Sequence, residues 1–438
     1  MAPDTSIPRV ELICLSVPPA YSSVGANSIF DFHATNCYHI FMNSPIIARH
    51  IPALDGLRGL AVISVVFVHV NGSFGGPFPL GTLNTILTRL FGAGWVGVDL
   101  FFVLSGFLIT GILYDSKNSP HYLRNFYMRR SLRIVPLYYG FLLALMVFAK
   151  LSHGAKGVNF SGRESLSLLF YYYNFHSAFS HSVGCVHHFW SLAVEEHFYL
   201  VWPFFVAVCP RGKLLWACVL GAVFSIMFRI YIVLFGDYLQ TAYLITPCRL
   251  DGLLSGAFIA ICYRDSYTLD LLRRWATTVF FVSGGALLAL FIWQRHFYDG
   301  FDNRGNGIPG LDSSLSLTLG ITCLSSFFSS GLALLVDLPT GSLVRSLMEW
   351  SLLRSLGRYS YGIYVFHPFI LGPVFSKVFK FAPSITKWPD LVAKPLFAAL
   401  VLLCSYLVAM ASYHFYEKRF LALKQRFGGN GASKALTY

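Results

Sequence analysis

Apolar residues are grouped along this chain in blocks close to 20 residues long, separated by short polar segments. A helix of ~20 apolar residues crosses the ~30 Å hydrocarbon core of a bilayer, so each block predicts a membrane-spanning helix. A window of about 19 residues indicates about ten of them. They are predicted at residues 57–73, 94–114, 132–150, 190–209, 214–235, 246–263, 275–294, 314–337, 360–379 and 394–415. Polar residues interrupt the fourth, sixth and ninth, for which a re-entrant or broken helix is the alternative.

The amino-acid composition favours a membrane protein over a soluble one. Hydrophobic residues make up 55% of the 438 residues and charged residues only 12%, about half of the ~25% found in soluble domains. The predicted fold is all-α: one polytopic transmembrane helical bundle with no soluble catalytic domain. We expect a flexible N-terminal extension at residues 1–48, the transmembrane domain at 49–420 and a cytoplasmic tail at 421–438.

The net charge of +13 does not indicate a nucleic-acid partner, because the basic residues lie in short loops and form no aromatic-interleaved basic module. Basic loops stay on the cytoplasmic side of a membrane. They follow the second, fourth and sixth predicted helices, and a basic segment follows the last. We therefore expect a multi-pass cell-membrane protein with both termini in the cytoplasm. The 9 cysteines form no CxxC pair or zinc-like cluster, so no disulfide framework and no metal site are predicted.

Two ionisable residues lie in the first predicted helix. Such groups cost ~3 kcal/mol or more inside a membrane and usually face a cavity. Arg58 and His69 are 11 residues apart, which places them within about 20° of one helix face and ~16 Å apart along the axis. We expect Arg58 to bind an anionic group and His69 to reach a substrate hydroxyl. The alternatives are that Arg58 extends to lipid headgroups and that His69 hydrogen-bonds a neighbouring helix.

Three arginines lie where the third helix is predicted to begin. They are Arg129, Arg130 and Arg133 in the segment FYMRRSLRIVP, residues 126–136. At this spacing the guanidinium groups share one side of a helix and can surround a pyrophosphate. Loop topology alone would account for two of the three.

The segment FWSLAVEEHFYLVWPF, residues 189–204, contains two adjacent carboxylates, Glu195 and Glu196, among aromatic residues. An unpaired carboxylate is costly at low dielectric, so these groups need a cation or a catalytic task. We expect one of them to orient His69 and to stabilise its imidazolium form. The alternative is an ion pair with Arg249 or Arg130 that only fixes helix packing.

Three further charged residues in predicted helices are candidates for substrate binding. Asp99 lies in GVDLFFVLSGFLIT, and Arg249 and Asp251 lie in CRLDGLLSG. Asp99 is also a candidate second partner for a histidine. His367 lies in the ninth predicted helix, where capping a helix break before Pro368 is the alternative to a functional role. No GxSxG elbow, Walker loop, HExxH or Rossmann motif occurs in a fitting context.

These segments, in this order, resemble the acyltransferase-3 family of integral-membrane O-acyltransferases, which modify cell-surface and secreted sugars. The similarity begins with IPALDGLRGLAVISVVFVH, residues 51–69. It continues through FFVLSGFLIT, the arginine and glutamate segments, CRLDGLLSG and SYGIYVFHPF to YHFYEKRF. It covers residues 51 to about 420.

The resemblance implies a ten-helix fold that moves an acetyl or other short acyl group from acyl-CoA to a hydroxyl of a glycan or glycolipid. Acetyl-CoA is then a donor substrate, and no bound cofactor is expected. The family's Arg and His pattern falls on Arg58 and His69, its arginine motif on Arg129, Arg130 and Arg133, and its acidic motif on Glu195 and Glu196. Many relatives carry an esterase-like domain after the last helix. We expect this chain to lack it and to transfer the acyl group within the membrane domain or through a partner protein.

Two roles are open for His69: general base on the acceptor hydroxyl, or acceptor of the acyl group itself. The leading alternative function is a transporter of a sugar or lipid-linked glycan, since intramembrane charges and glycine-interrupted helices also mark transport paths. No inverted symmetry between the two halves supports it. A non-catalytic membrane scaffold would not need His, Glu and Arg in adjoining helices. The acceptor, the acyl length and the oligomeric state do not follow from the sequence.

Overall fold

The computed structural model of the protein describes residues 50–73, 90–151, 160–180, 185–236, 239–293, 314–381 and 390–427. All of them belong to one structural unit of the chain, Ile47–Tyr438. The described residues are helices and short connections without a strand, which confirms the all-α prediction for this part of the chain. The predicted extension, residues 1–48, lies outside the described residues.

The helices are numbered here in chain order. They are α1 (Pro52–Ser73), α2 (Val96–Ser116), α3 (Tyr122–Leu151), α4 (Gly162–Leu169), α5 (Tyr173–Ser180), α6 (Phe189–Val208), α7 (Arg211–Phe235), α8 (Leu239–Leu244), α9 (Leu250–Cys262), α10 (Ser266–Trp293), α11 (Ile321–Asp337), α12 (Leu343–Met348), α13 (Ser351–Arg358), α14 (Ser360–Phe381), α15 (Asp390–Ser412) and α16 (Lys418–Ala422). Short 3₁₀ turns precede α2 and α9 and follow α16, and π turns precede α11 and α16.

Eight helical stretches in the described ranges are long and apolar enough to cross a membrane. They contain α1, α2, α3, α6, α7, α10, α11 and α15, and each coincides with a predicted span. The sixth and ninth predicted spans are helices as well. The sixth is α9, with 13 residues, and the ninth is α14, with 22 residues and two internal prolines. The prediction of a polytopic helical membrane bundle is therefore confirmed.

Several helices extend beyond their apolar blocks. The third span is predicted from residue 132, whereas α3 begins at Tyr122. All three arginines, including Arg129 and Arg130 before the predicted start, therefore project from α3. A hydropathy window ends where charges begin, while the backbone hydrogen bonds of a helix continue through polar residues. For the same reason, residues 421–427 of the predicted tail continue the last helix as far as Phe427.

The centre of the bundle depends on glycines that bring helices into backbone contact. A Cβ atom on Gly106 of α2 would collide with the carbonyl of Leu253 on α9, and one on Gly256 would collide with the carbonyl of Val103. Because the side chain of glycine is a single hydrogen atom, α2 and α9 can pack this closely. Gly59 makes an equivalent close contact between α1 and α13. This contact fixes the helix that carries Arg58 and His69.

Ion pairs join the basic helix ends to acidic residues on one face of the bundle. The joined ends are those of α2, α7, α9, α10 and α11. The pairs are Arg264 with Asp115 at 2.7 Å, Arg211 with Asp265 at 2.6 Å, and Arg273 with Asp337 at 2.9 Å. The basic loops that follow the second, fourth and sixth predicted helices therefore share one face, as one side of a membrane requires. Which side is cytoplasmic stays a prediction.

Candidate functional site

A cavity lies between α1, α2, α3, α6 and α14. Arg58 of α1 and Arg130 and Arg133 of α3 line it, together with Glu195 and Glu196 of α6. We refer to it as the arginine cavity. The structure thus brings five of the predicted site residues to one place. The rest of the lining is Val98, Phe101, Phe102, Ser105, Ile134, Ser191, Leu192, Ser360, Tyr361 and Tyr364.

Glu195 is held rigidly in the wall of the arginine cavity. Ser105 Oγ donates a hydrogen bond of 2.8 Å to its Oε1, and the Tyr199 hydroxyl donates one of 2.9 Å to its Oε2. The guanidinium of Arg130 lies over the Tyr199 ring, 4.0 Å from the centroid. Glu196 faces Arg130 electrostatically. These contacts fix the position of Arg130 through charge and cation–π attraction.

The charges of the arginine cavity do not cancel. Three guanidinium groups face two carboxylates, and Arg133 is repelled by both Arg58 and Arg130. Within the described residues, the buried Nε of Arg130 has no hydrogen-bond partner. A bound anion would relieve the repulsion and satisfy this donor, because guanidinium groups are matched in geometry to phosphate oxygens. The cavity is therefore suited to an anionic ligand.

The imidazole of His69 has a defined tautomer. Its Nδ1 lies 2.8 Å from the carbonyl oxygen of Val65, one turn earlier in α1. A carbonyl oxygen only accepts, so Nδ1 carries the proton and donates it. The lone pair of the ring is then on Nε2. A neutral imidazole in this form can take a proton or attack a carbonyl carbon.

Two other histidines lie close to His69. The ring centroid of His367 on α14 is 4.8 Å from that of His69, and His188 is 5.5 Å from His367. The Nδ1 atom of His367 donates to the carbonyl of Tyr364 at 2.8 Å. In the part of the chain that the structure describes, the Nε2 atoms of His188 and His367 have no hydrogen-bond partner. We refer to these three residues, with the adjacent His187, as the histidine cluster.

His187 and His188 lie in the segment that precedes α6. Burial, and to a smaller extent the neighbouring His69, lower the pKa of His187 to about 4. Burial also lowers the pKa of His188 well below its ordinary value. Both rings are therefore neutral at pH 7. Among the described residues, no three His, Cys, Asp or Glu side chains are arranged to hold a metal ion.

Tyr364 connects the histidine cluster with the arginine cavity. Its hydroxyl donates to the carbonyl of His188 at 2.8 Å and lies 2.5 Å from Ser191 Oγ. Its ring centroid is 5.8 Å from that of His367, and its side chain lines the arginine cavity. The histidine cluster and the arginine cavity are therefore neighbouring regions of the bundle interior.

The sequence predicts that a glutamate orients His69, but in the structure His69 and Glu195 have other hydrogen-bond partners. Both carboxylate oxygens of Glu195 accept hydrogen bonds from Ser105 and Tyr199, while the carbonyl of Val65 orients His69. Glu195 is seven residues beyond His188, about 10 Å along α6. The spacing of residues within one helix does not show how far two helices are shifted relative to each other along their axes. Catalytic roles for Glu195 and Glu196 stay predictions.

Asp99, Arg249 and Asp251 form buried ion pairs next to the arginine cavity. Arg249 Nη2 lies 2.5 Å from Asp99 Oδ1, and Arg229 Nη2 lies 2.9 Å from Asp251 Oδ2. The Arg249 guanidinium also lies over the ring of Tyr243, 4.8 Å from its centroid. Arg249 therefore pairs with Asp99 and not with either glutamate. A substrate-binding role for these three residues stays a prediction.

Some residues of this region were not singled out from the sequence. Arg229 gives no motif signal in the sequence, because it is a single charge in the apolar block of α7. His187 and His188 had a usable signal, since they are adjacent histidines directly before the FWSLAVEEHF segment. Arg129, the third arginine of the predicted motif, is not among the residues that line the arginine cavity. It lies within electrostatic reach of Lys424, near the C-terminal end of the described chain.

The family model for the acyltransferase-3 family, described as "Acyltransferase domain", matches residues 51–413. The chain is similar to the peptidoglycan O-acetyltransferase OatA of Listeria monocytogenes, with 29% identity over 338 residues, 73% of this chain and 49% of that protein. It is similar to the putative peptidoglycan O-acetyltransferase YrhL of Bacillus subtilis, with 28% identity over 399 residues, 84% of this chain and 55% of that protein. The chain thus spans about half the length of these curated relatives. No solved structure matches it.

Proposed function

The chain belongs to the acyltransferase-3 family, and from this premise we propose that it is a membrane O-acetyltransferase. It transfers an acetyl group from acetyl-CoA to a hydroxyl of a cell-surface or secreted carbohydrate. The observation that carries the proposal is the histidine base of defined tautomer, His69, next to a cavity with three arginines. The names of the relatives, which include peptidoglycan O-acetyltransferases, support the acetyl group and the carbohydrate acceptor.

The arginine cavity fits the phosphate-bearing end of the donor. Arg58, Arg130 and Arg133 can share the negative charge of a pyrophosphate through bidentate hydrogen bonds. His69 is ~16 Å from Arg58 along α1. The pantetheine arm of CoA is long and flexible, so it can place the thioester at His69 while the phosphates stay among the arginines.

The transfer follows from the lone pair on Nε2 of His69. This atom removes the proton from the acceptor hydroxyl as the oxygen forms a bond to the thioester carbonyl carbon. The C–S bond then breaks, and the imidazolium returns the proton to the departing CoA thiolate. In the second route, Nε2 attacks the thioester carbonyl carbon, the C–S bond breaks and CoA leaves as the thiolate before the acceptor binds. The acceptor oxygen then attacks the acyl carbon, the C–N bond to His69 breaks, and the hydroxyl proton is lost to solvent, where it balances the thiolate. The two routes differ in whether CoA is released without an acceptor.

The proposal is tested with the purified full-length protein in lipid nanodiscs and acetyl-CoA labelled in the acetyl group. Saccharide acceptors are supplied, with peptidoglycan fragments first because of the relatives' names. We expect acceptor-dependent release of CoA, with one labelled acetyl group on the saccharide for each CoA. An initial burst of CoA without acceptor would indicate the acyl-histidine route.

The same preparation distinguishes the enzyme from a transporter. In proteoliposomes, a transporter of a sugar or lipid-linked glycan would move labelled saccharide across the bilayer and release no CoA. Saccharide movement without CoA release, over the full set of acceptors, would contradict the proposed function.

A further inference from the structure

A second basic pocket adjoins the arginine cavity and is not part of the site described above. It lies between α3, the junction of α13 and α14, and the helical segment at the end of the described chain. We refer to it as the terminal groove. Its cations are Arg133, Arg358 and Lys424, and its one carboxylate is that of Glu417. Arg133 and Tyr361 line both the terminal groove and the arginine cavity, so the two adjoin each other.

The terminal groove carries an excess of positive charge. Glu417 accepts a hydrogen bond of 2.9 Å from Ser412 and balances one cation at most. Lys424 lies within electrostatic reach of Arg129, Arg130 and Arg133 at once. Bringing like charges together in a partly buried place raises the free energy of the empty protein, and a bound anion lowers it. The groove therefore has the chemistry of a phosphate site.

The order of the sites matches the order of the groups in the donor. Along α14, Tyr361 lines the terminal groove and the arginine cavity, Tyr364 lines the arginine cavity, and His367 contacts His69. Tyr361 and His367 are six positions apart, about 9 Å along the axis of α14. CoA presents, in the same order from its far end, a 3′-phosphorylated nucleoside, a pyrophosphate and a thioester on a long arm.

We infer that the terminal groove binds the 3′-phosphate of the CoA donor while the arginine cavity binds its pyrophosphate. This inference rests on the proposed function, because it assumes that acyl-CoA is the donor. Arg358 and Lys424 are then donor-binding residues, and Arg133 contributes to both phosphate subsites.

The test compares acetyl-CoA with 3′-dephospho-acetyl-CoA, using the full-length protein in nanodiscs of neutral lipid. In the unmodified protein we expect kcat/KM to be about 10-fold to 100-fold higher for acetyl-CoA than for the dephospho donor, because hydrogen bonds to charged groups contribute that much. Lys424→Gln and Arg358→Gln should each reduce kcat/KM for acetyl-CoA and leave that for the dephospho donor unchanged. Activity with the dephospho donor shows that each variant is folded. Arg426→Gln, an exposed change on the same terminal segment, should preserve the preference.

Three outcomes would overturn the inference. If the unmodified protein uses both donors equally, the 3′-phosphate has no subsite. If Lys424→Gln lowers activity with both donors equally, the residue has a structural role only. If Lys424→Gln lowers activity only in nanodiscs that contain anionic lipid, the groove binds a lipid phosphate and not the donor. Failure of the proposed function looks different, because the unmodified protein would then release no CoA from either donor.

Discussion

The imidazole of His69 is the side chain on which the proposed chemistry depends most. We expect His69→Gln to lower kcat by about 10²-fold to 10⁴-fold, because general-base catalysis contributes that much. The KM for acetyl-CoA and the melting temperature should change little, since glutamine can still donate to the carbonyl of Val65. The matched control is His121→Asn in the exposed turn before α3, where φ is 56° and asparagine is tolerated. Full turnover in a well-inserted His69→Gln protein would refute the assignment.

Arg130 is the most firmly positioned guanidinium of the arginine cavity, since it lies over Tyr199 and faces Glu196. We expect Arg130→Gln to raise the KM for acetyl-CoA by about 10-fold to 100-fold, the value of charged hydrogen bonds, with a smaller effect on kcat. Steady-state kinetics at varied acetyl-CoA concentration measures both. Arg124→Gln, an exposed position in the first turn of the same helix, is the control. An unchanged KM would assign the arginine motif to membrane topology alone.

The crossing of α2 and α9 leaves no space for an added side chain. A side chain on Gly106 would meet the carbonyl of Leu253, which belongs to the backbone and cannot rotate away. Gly106→Val should therefore separate the two helices and lower the melting temperature, with a cost of about 1–3 kcal/mol or more. Gly285→Ala, in α10 with nothing within 4 Å of the new Cβ, should preserve or raise it. Thermal unfolding followed by size-exclusion chromatography in detergent compares them, and equal melting temperatures would contradict the close packing.

The buried pair of Asp99 and Arg249 links α2 to the 3₁₀ turn directly before α9. Asp99→Asn leaves the guanidinium of Arg249 without its counter-ion, which costs about 3–5 kcal/mol for a buried pair. We expect a lower melting temperature and an unchanged KM for acetyl-CoA in the folded fraction. The double change Asp99→Leu with Arg249→Met should recover part of the stability, because it removes both charges. A raised KM at an unchanged melting temperature would instead support the predicted substrate-binding role.

Much of the helix arrangement could be predicted from the sequence, because lipid contact forces long apolar blocks that a window can detect. The predicted span 214–235 differs from α7 by three residues at its start and none at its end. The clustering of Arg58 with the arginines of α3 could also be predicted, since all of these residues lie near the beginning of their helices. The contact of His69 with His367 was not. It depends on how far α1 and α14 are shifted along their axes, and no local pattern records that shift.

In the molecule as a whole, the arginine cavity and the histidine cluster are separate but adjacent regions. The arginine cavity lies near the beginning of α1, and the histidine cluster lies about three turns further along. Tyr364 lies between them, with its hydroxyl bound to the carbonyl of His188. Under the proposed function, the charged head of the donor would stay near one membrane face and the acyl transfer would take place deeper in the bundle, where neutral imidazoles avoid the cost of a buried charge.

Neutral histidines in the folded protein also determine how its stability depends on pH. The pKa of His187 falls from 6.5 to about 4 on folding, because burial disfavours the charged ring. Above pH 6.5 the imidazole is neutral in both the folded and the unfolded protein, so its titration takes nothing from the free energy of unfolding there. As the pH falls below 6.5, the unfolded chain binds protons that the folded chain excludes, and stability is lost until about pH 4. His188 acts in the same direction.

We therefore expect the melting temperature in detergent to fall between pH 7.5 and pH 5, where most surface carboxylates are still ionised. The groups around His187 are Ser177, which lies 3.1 Å from its Nδ1, and the imidazoles of His69 and His188. No carboxylate is among the groups that shift its pKa, so protonation in the fold would go uncompensated. His187→Gln keeps a polar partner for Ser177 and removes the titration. It should reduce the loss between the two pH values, and an equal loss in this variant would show that other groups cause the acid sensitivity.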